Sequence, residues 1–540
     1  MNTLYIRTFT LAAVVLILLV LLGSCSADQS GESPDNDSSG TGGSKSAPTK
    51  EQPAKNPTGT PEANEQADPR EGPREVRAAL VPIVHLTSEQ ESVSVEQLSG
   101  LPDLAVPEGS RAAAEELLGR SEFGLSGPAP AVVDHVSRSP GATGLVPWDA
   151  VTPQVKSLAV DDQALFAAGG VEPESYPLVQ EGEELPDPGK LRRVVVGGDI
   201  VLDRGQSYAV IQQGMGIDFP MDGGYVAITG RTREPNPYSP SETVTRFTAE
   251  RRGGAGVVRE YVSSADLALA NLENPVVEAA VWHPEGTTFT GDPELLPILE
   301  QAGLDGVTLG NNHIMDAGVP GMQETQRYLE EAGISYTGVG MDLASAREPM
   351  VFDLEGVKVG VLNYLDVPSY QWSWATETQP GTAPLQEELM REDIERLKNR
   401  VDVVLVMPHW GTEYLAEPEP GQVEMAHAAV EAGADILVGG HAHWVKGMEI
   451  YEEKPIFYGV GNFLFDQSWS EATSTGIFAE IMLYGDRPVQ SEAIPFVMLD
   501  YAQPNFLLPE AGGNRVLRNI FSASVGPEFE EYTTDPGNPQ

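Results

Sequence analysis

Cysteine is almost missing from this sequence. Cys25 is the single one in 540 residues, which excludes any intramolecular disulfide. Positive charge is scarce as well: 33 Lys and Arg stand against 80 Asp and Glu, a formal net charge of −47. So acidic a chain is excluded from general association with nucleic acid or with an anionic membrane surface. The apolar run Leu11 to Leu22 is too short for a membrane span. Histidine is sparse at eight residues, so its placement is informative. His85, His135, His283 and His427 have no donor-rich neighbours in sequence and read as structural or surface residues. No internal repeat is visible. The length suits two or three domains with sizeable cores.

The front of the chain divides by composition. Arg7, the apolar run and Gly23-Ser24-Cys25 read as a secretory signal over 1–25. Leu22-Gly23-Ser24-Cys25 resembles a bacterial lipobox, which implies cleavage before Cys25 and lipid attachment to it. The expectation is an extracytoplasmic protein, lipid-anchored to the bacterial cell membrane. Residues 26–75 are Ser, Gly, Pro, Thr and charged residues and read as a disordered linker, because they bury too little apolar surface to offset ordering entropy. Residues 76–186 read as a small α/β accessory domain, with helices near Arg111–Leu118 and Ala131–Val136 and a strand ending at Pro147. Through Ser139–Val146 and Val155–Asp161 it weakly resembles one lobe of the phosphate-type periplasmic solute-binding proteins. Pro173 to Lys190, rich in Pro and Glu, reads as a linker.

From 191 to 500 short apolar strands alternate with helical stretches, an α/β pattern. Helices are expected at Pro293–Ala302, Val319–Ala332, Leu385–Asn399 and Val423–Ala432, with Gly333 and Gly433 as terminators. A hairpin is expected to turn at Glu355-Gly356. One pattern recurs at the ends of the strands. Apolar runs deliver Gly197-Gly198-Asp199, Asn271-Leu272-Glu273-Asn274, Gly310-Asn311-Asn312-His313, Met407-Pro408-His409-Trp410 and Gly439-Gly440-His441-Ala442-His443. In α/β sheets ligands bind outside the carboxyl ends of the strands. Donors of N and O type at five such ends point to one shared metal site. Residues 501–540 read as a C-terminal tail with one helical patch, Arg515 to Phe521.

These motifs, in this order and closed by Gly459–Gln467, resemble the CapA/PgsA family of bacterial poly-γ-glutamate capsule proteins. That family is similar to the calcineurin-like metallophosphoesterases. The resemblance implies a two-sheet sandwich flanked by helices, in four αββα layers. It implies divalent metal ions, up to two of them, for which mixed N/O ligands suit Mn, Fe or Zn. Asp199 and His443 would bind the first metal and Asn312, His409 and His441 the second, with Glu273 between them. His313 would protonate the leaving group, and Arg204 is a candidate anion contact. The phosphoesterases carry histidine where this chain has Val201, and Asp where it has Glu273, so the first metal has one histidine fewer. The implied role is synthesis, export or attachment of an anionic polymer, with membrane synthase subunits as candidate partners. A surface phosphoesterase and a non-catalytic polymer-binding subunit are the alternatives. Trp372, Trp374, Trp410, Trp444 and Trp469 either line a groove or pack at loop bases. Arg231, Arg233, Arg246, Arg251 and Arg252 form a local basic set within an otherwise acidic chain.

Overall fold

A computed structural model describes residues 79–166, 171, 175–180 and 185–533. The signal with Cys25, the 26–75 linker and the end of the tail lie outside the described residues.

Two sheets form the body of the chain. Their strands read as almost continuous apolar runs because each sheet is covered on both faces. Along Val403–Trp410, Val403, Leu405 and Met407 enter the core between the sheets, while Val404 and Val406 pack outward under helices. Leu191–Ile200 alternates likewise at Val194 and Val196, inward, and Val195, outward, until an irregularity between Val196 and Asp199 shifts the register and turns Ile200 outward. This is the two-residue period of a pleated strand.

The larger sheet has ten strands. Leu191–Ile200 lies between Leu267–Leu272, parallel, and Thr475–Tyr484, antiparallel. Gly306–Thr308 and Ser335–Thr337 continue the parallel side. The smaller sheet has six strands. Val357–Asp366, Val403–Trp410, Ile436–Val438 and Lys454–Phe457 run parallel in it. Helices Val257–Ser263, Pro297–Ala302 and Gly318–Ala332 cover the larger sheet. Glu387–Lys398 and Pro420–Ala432 cover the smaller one. The architecture is therefore the expected four-layer α/β sandwich. Gly303, Gly333 and Gly433 end their helices in left-handed conformation. The Glu355-Gly356 turn closes the expected hairpin with both residues at positive φ.

Three segments differ from their sequence reading. The connection between Arg204 and Ser264 carries a long hairpin, Tyr225–Pro235 with Thr243–Arg252, joined to the larger sheet. Val226, Ile228, Phe247 and Ala249 pack beside Val497, Leu499 and Leu507, but the rest of the hairpin is polar and largely exposed, so its apolar period is too short to stand out in the sequence. The segment past residue 500 is not a loose tail. Gln503–Leu507 pairs with both Arg487–Leu499 and the hairpin, and helix Gly513–Ala523 sends Ile520 and Phe521 into the inter-sheet core. The 173–190 stretch is only partly a linker. Tyr176 and Leu178 are buried in the accessory core, and the Tyr176 hydroxyl donates to Leu80 O at 2.9 Å.

The accessory region is a three-stranded antiparallel sheet with helix Ala129–Ser137 against it. Its core continues into the sandwich through Leu191, Met482 and Val489. Arg487 donates to Val151 O at 2.7 Å, and Ser157 bonds Gln490.

Candidate metal centre

The parallel strands of the two sheets bring their carboxyl ends to one edge. There the chain turns away from the sheet and polar side chains replace apolar ones. Asp199 sits at the end of Leu191–Ile200, and its approach depends on glycine. A Cβ at Gly198 would lie 1.8 Å from Gly461 O. From the other sheet, a Cβ at Gly439 would lie 2.3 Å from Tyr458 O and 2.5 Å from Trp410 Nε1. His441 and His443 follow with φ of 82° and 55°, left-handed values that cost a residue with a Cβ roughly 1–2 kcal/mol each.

The side chains that meet are buried. Glu273 Oε1, Asn312 Oδ1 and His441 Nδ1 lie 3.5, 2.7 and 3.2 Å from His409 Nε2. A single N–H can serve only one of these three lone-pair donors. On the other side, His443 Nδ1 lies 3.4 Å from Asp199 Oδ2, and His443 Nε2 lies 3.9 Å from Glu273 Oε1. Two groups result, Glu273 with His409 and His441, and Asp199 with Glu273 and His443; within each, the donor atoms all fall inside 4.8 Å. Glu273 is common to both.

The chemistry of these groups fits divalent cations. Asp199 Oδ2 and both Glu273 carboxylate oxygens are buried without a hydrogen-bond partner among the described residues. Such orphaned acceptors are costly unless a cation satisfies them. Burial, reinforced by the Asp199 charge, pushes the Glu273 carboxyl well above the ordinary range. Burial acts on Asp199 in the same sense, but the nearby His443 and His409 imidazoles and the Asn271 amide that donates to Oδ1 outweigh it and hold Asp199 low. Burial drives His409 down to about 3 and His441 well below the usual imidazole value. Both are thus neutral, the form in which imidazole ligates a metal.

Other residues hold the donors in place. Asn271 donates to Asp199 Oδ1 at 2.8 Å and accepts from Thr308 and Asn311. Asn363 accepts from Gly310 N and donates to Met407 O, tying the two sheets together beneath the site. Two residues at the site went unassigned in the sequence. Asn462 accepts from His443 Nδ1 at 2.9 Å, where it opens a further strand, Asn462–Leu464, that pairs with Leu191–Ile200. Asp316 lies 3.0 Å from His313 Nδ1 and also accepts from Phe289 N, so His313 is oriented rather than free to rotate.

Arg204 is corrected by the structure. Its buried guanidinium lies 3.3 Å from Glu242 and 3.4 Å from Asp466, and it donates to Gly286 O. Committed to these partners, it is a structural clamp rather than a free anion contact. Four of the five arginines of the basic set are likewise paired, Arg231 with Glu471, Arg246 with Glu234, Arg251 with Asp500 and Arg252 with Glu250, and Arg233 donates to Trp469 O at 3.2 Å. Val201 packs with Phe289 and Phe465 in a small apolar floor, and Phe465 meets the His443 ring edge-on. Trp410 is core, with Nε1 bonded to Tyr458 O. Tyr414 stands 6.0 Å from the His443 ring, with Trp444 and Trp469 edge-on to it.

Residues 193–467 match the family described as bacterial capsule synthesis protein PGA_cap, and every donor at the site lies inside that span. The chain belongs to this family. Among capsule synthesis relatives, it is 30% identical over 228 residues to "Capsule biosynthesis protein CapA" of Bacillus anthracis, covering 41% of this chain and 55% of that protein. It is 31% identical over 231 residues to "PGA biosynthesis protein CapA" of Bacillus subtilis (strain 168), covering 42% of this chain and 60% of that one. The chain thus spans little more than half the length of these relatives. Among solved structures, it aligns at 14% identity and a TM-score of 0.33 with a putative 5′-nucleotidase from Staphylococcus aureus, over 61% of this chain and 58% of the other.

Proposed function

We propose that this capsule synthesis protein uses a two-cation hydrolytic centre on an anionic polymer of the poly-γ-glutamate type, during its synthesis, export or attachment. The observation that carries the reading is the pair of donor groups sharing Glu273, with three buried carboxylate oxygens left for cations. Asp199, Glu273 and His443 would hold one cation, and Glu273, Asn312, His409 and His441 the other. Divalent cations bound there would polarise a carbonyl or phosphoryl oxygen and supply hydroxide at neutral pH. The chain's own contribution is proton handling and shape. Asp316 holds His313 Nδ1, which leaves Nε2 to carry a proton to a leaving group. Val201, Phe289 and Phe465 keep the floor apolar, and Tyr414 with Trp469 walls one side.

The test separates ligands from the proton carrier. His441→Ala is expected to lose metal, by elemental analysis, together with hydrolysis of polymer and phosphoester substrates. His313→Ala is expected to keep its metal and lose roughly 10²–10⁴-fold in rate. Metal lost equally from His313→Ala would make His313 a ligand and refute the assignment. Val201, apolar where a histidine would add a ligand, favours one second reading, polymer binding without turnover. Metal retained in a parent protein that hydrolyses nothing would select it.

The same proposal places the protein outside the cytoplasm, anchored by lipid on Cys25. Its support is the Leu22-Gly23-Ser24-Cys25 sequence after the apolar run. Cys25→Ser should shift the protein from membrane to medium or leave its signal uncleaved. Unchanged processing and membrane association without lipid incorporation would refute the anchor.

A further inference from the structure

The loop that closes the metal centre has a second face. Gln467 accepts from Asn462 at the centre, while its neighbours Asp466 and Ser468 line a separate cavity of about 380 Å³. That volume lies within the range of small-molecule sites. The hairpin strand Thr243–Arg252 supplies one wall, and the turn after Leu499 supplies another. The turn falls outside residues 193–467, so the cavity depends on parts that the family match does not cover.

Two features give the cavity its chemistry. The first is three aromatic rings, Tyr238, Phe247 and Tyr501. Tyr501 stands on a run of three non-glycine residues, Asp500, Tyr501 and Ala502, with φ of 41°, 65° and 75°. Successive left-handed residues are disfavoured, and strain of this kind persists where the surroundings hold it and gathers at ligand sites. Here Tyr208 and Tyr238 hold the Tyr501 ring at 5.3 and 6.4 Å. The second feature is balanced charge. Arg246 and Arg251 line the cavity together with Asp466 and Asp500, and each arginine already has a carboxylate partner. A polyanion entering would find no unpaired cation and would face two carboxylates. A hydroxyl group both donates and accepts, which matches such a mixed lining, and the faces of the rings suit a ligand with C–H surfaces.

We propose that this cavity is a saccharide subsite, which takes a neutral, hydroxyl-bearing sugar ring against Tyr501 and Phe247. It gives the protein a hold on a glycan that is separate from the metal centre and does not depend on the hydrolytic reading.

The experiment is calorimetric titration of the full chain with a neutral N-acetylglucosamine tetramer. Binding is expected, unchanged by chelation of metal and nearly indifferent to salt. Tyr501→Ala and Phe247→Ala should each weaken it about tenfold, the scale of one lost aromatic contact. Tyr501→Phe should bind as the parent does. Thr248→Trp, at an exposed position on the cavity wall, should block binding without disturbing the core, which covers the case in which an alanine variant fails to fold. No binding by the parent protein overturns the proposal. So does displacement of the tetramer by an oligo-γ-glutamate whose binding falls steeply with salt and with Arg246→Gln, because the cavity then belongs to the anionic polymer.

Discussion

Glu273→Gln is expected to empty both metal positions, whereas His441→Ala and His443→Ala each disable one. Glu273 is the single residue common to the two donor groups. The amide keeps the shape of the side chain but loses the charge, and affinity should fall by more than about a hundredfold at both positions. Elemental analysis of the purified variants reads the result directly. One metal retained in Glu273→Gln would show that the two groups do not share this residue.

The same substitution should act with the opposite sign on stability when metal is removed. Burial and Asp199 raise the Glu273 carboxyl, so the folded chain keeps a proton that the unfolded chain has released. Where the folded state binds more protons, stability falls as pH rises. His409 and His441, held neutral by burial, bind fewer protons than in the unfolded chain and add stability as pH rises through the imidazole range. The Glu273 effect is therefore read as a difference: relative to chelated Glu273→Gln, the chelated parent should lose melting temperature from about pH 5 to about pH 8. Asp199, held low, contributes the reverse: its stabilisation is lost as pH falls through the acidic range. A chelated parent that gains melting temperature over the chelated Glu273→Gln variant across that interval would contradict the assignment of an uncompensated Glu273.

The second large effect is expected from truncation after Asp500. The lost segment carries Phe506, Leu507, Ile520, Phe521 and Phe529, all buried. At roughly 2 kcal/mol apiece, their burial sums to about 10 kcal/mol. A domain's whole net stability is about 5–15 kcal/mol. The deletion also removes the strand that joins Arg487–Leu499 to the hairpin, leaving two exposed edges. The truncated chain should be insoluble. A soluble, cooperatively melting 79–500 fragment would show that the last strand and helix are dispensable. Removing residues before 191 should be milder but measurable, because it uncovers Met482 and Val489.

The sandwich and the meeting of its strand ends were legible because both follow from local pattern. Val194–Val196, Val403–Val406 and Ile436–Val438 are apolar on both faces, and each breaks abruptly into Asp, His or Gly. What escaped was set by partners distant in sequence. Arg204 looked available because Glu242 and Asp466, which hold it, are far along the chain. Asn462 acquires its place only when its strand pairs beside Leu191–Ile200. The hairpin at 225–252 has polar residues on both faces, and Gln503–Leu507 is too short to announce itself beside a polar terminus. Tyr176 and Leu178 were hidden by the Pro and Glu around them.

The pairing of Asn462–Leu464 with Leu191–Ile200 also bears on the order in which the protein comes into being. Asp199 is translated early, His409 and His441 much later, and Asn462 later still. Contacts across such long stretches of chain form only after the intervening loops have closed. A nascent chain halted before residue 462 has no complete cradle, and its first acidic donors remain an open, weak site. Any cation that the centre takes is held by groups that meet only as the sandwich closes. The protein would then accept whichever divalent ion the compartment of its final folding provides.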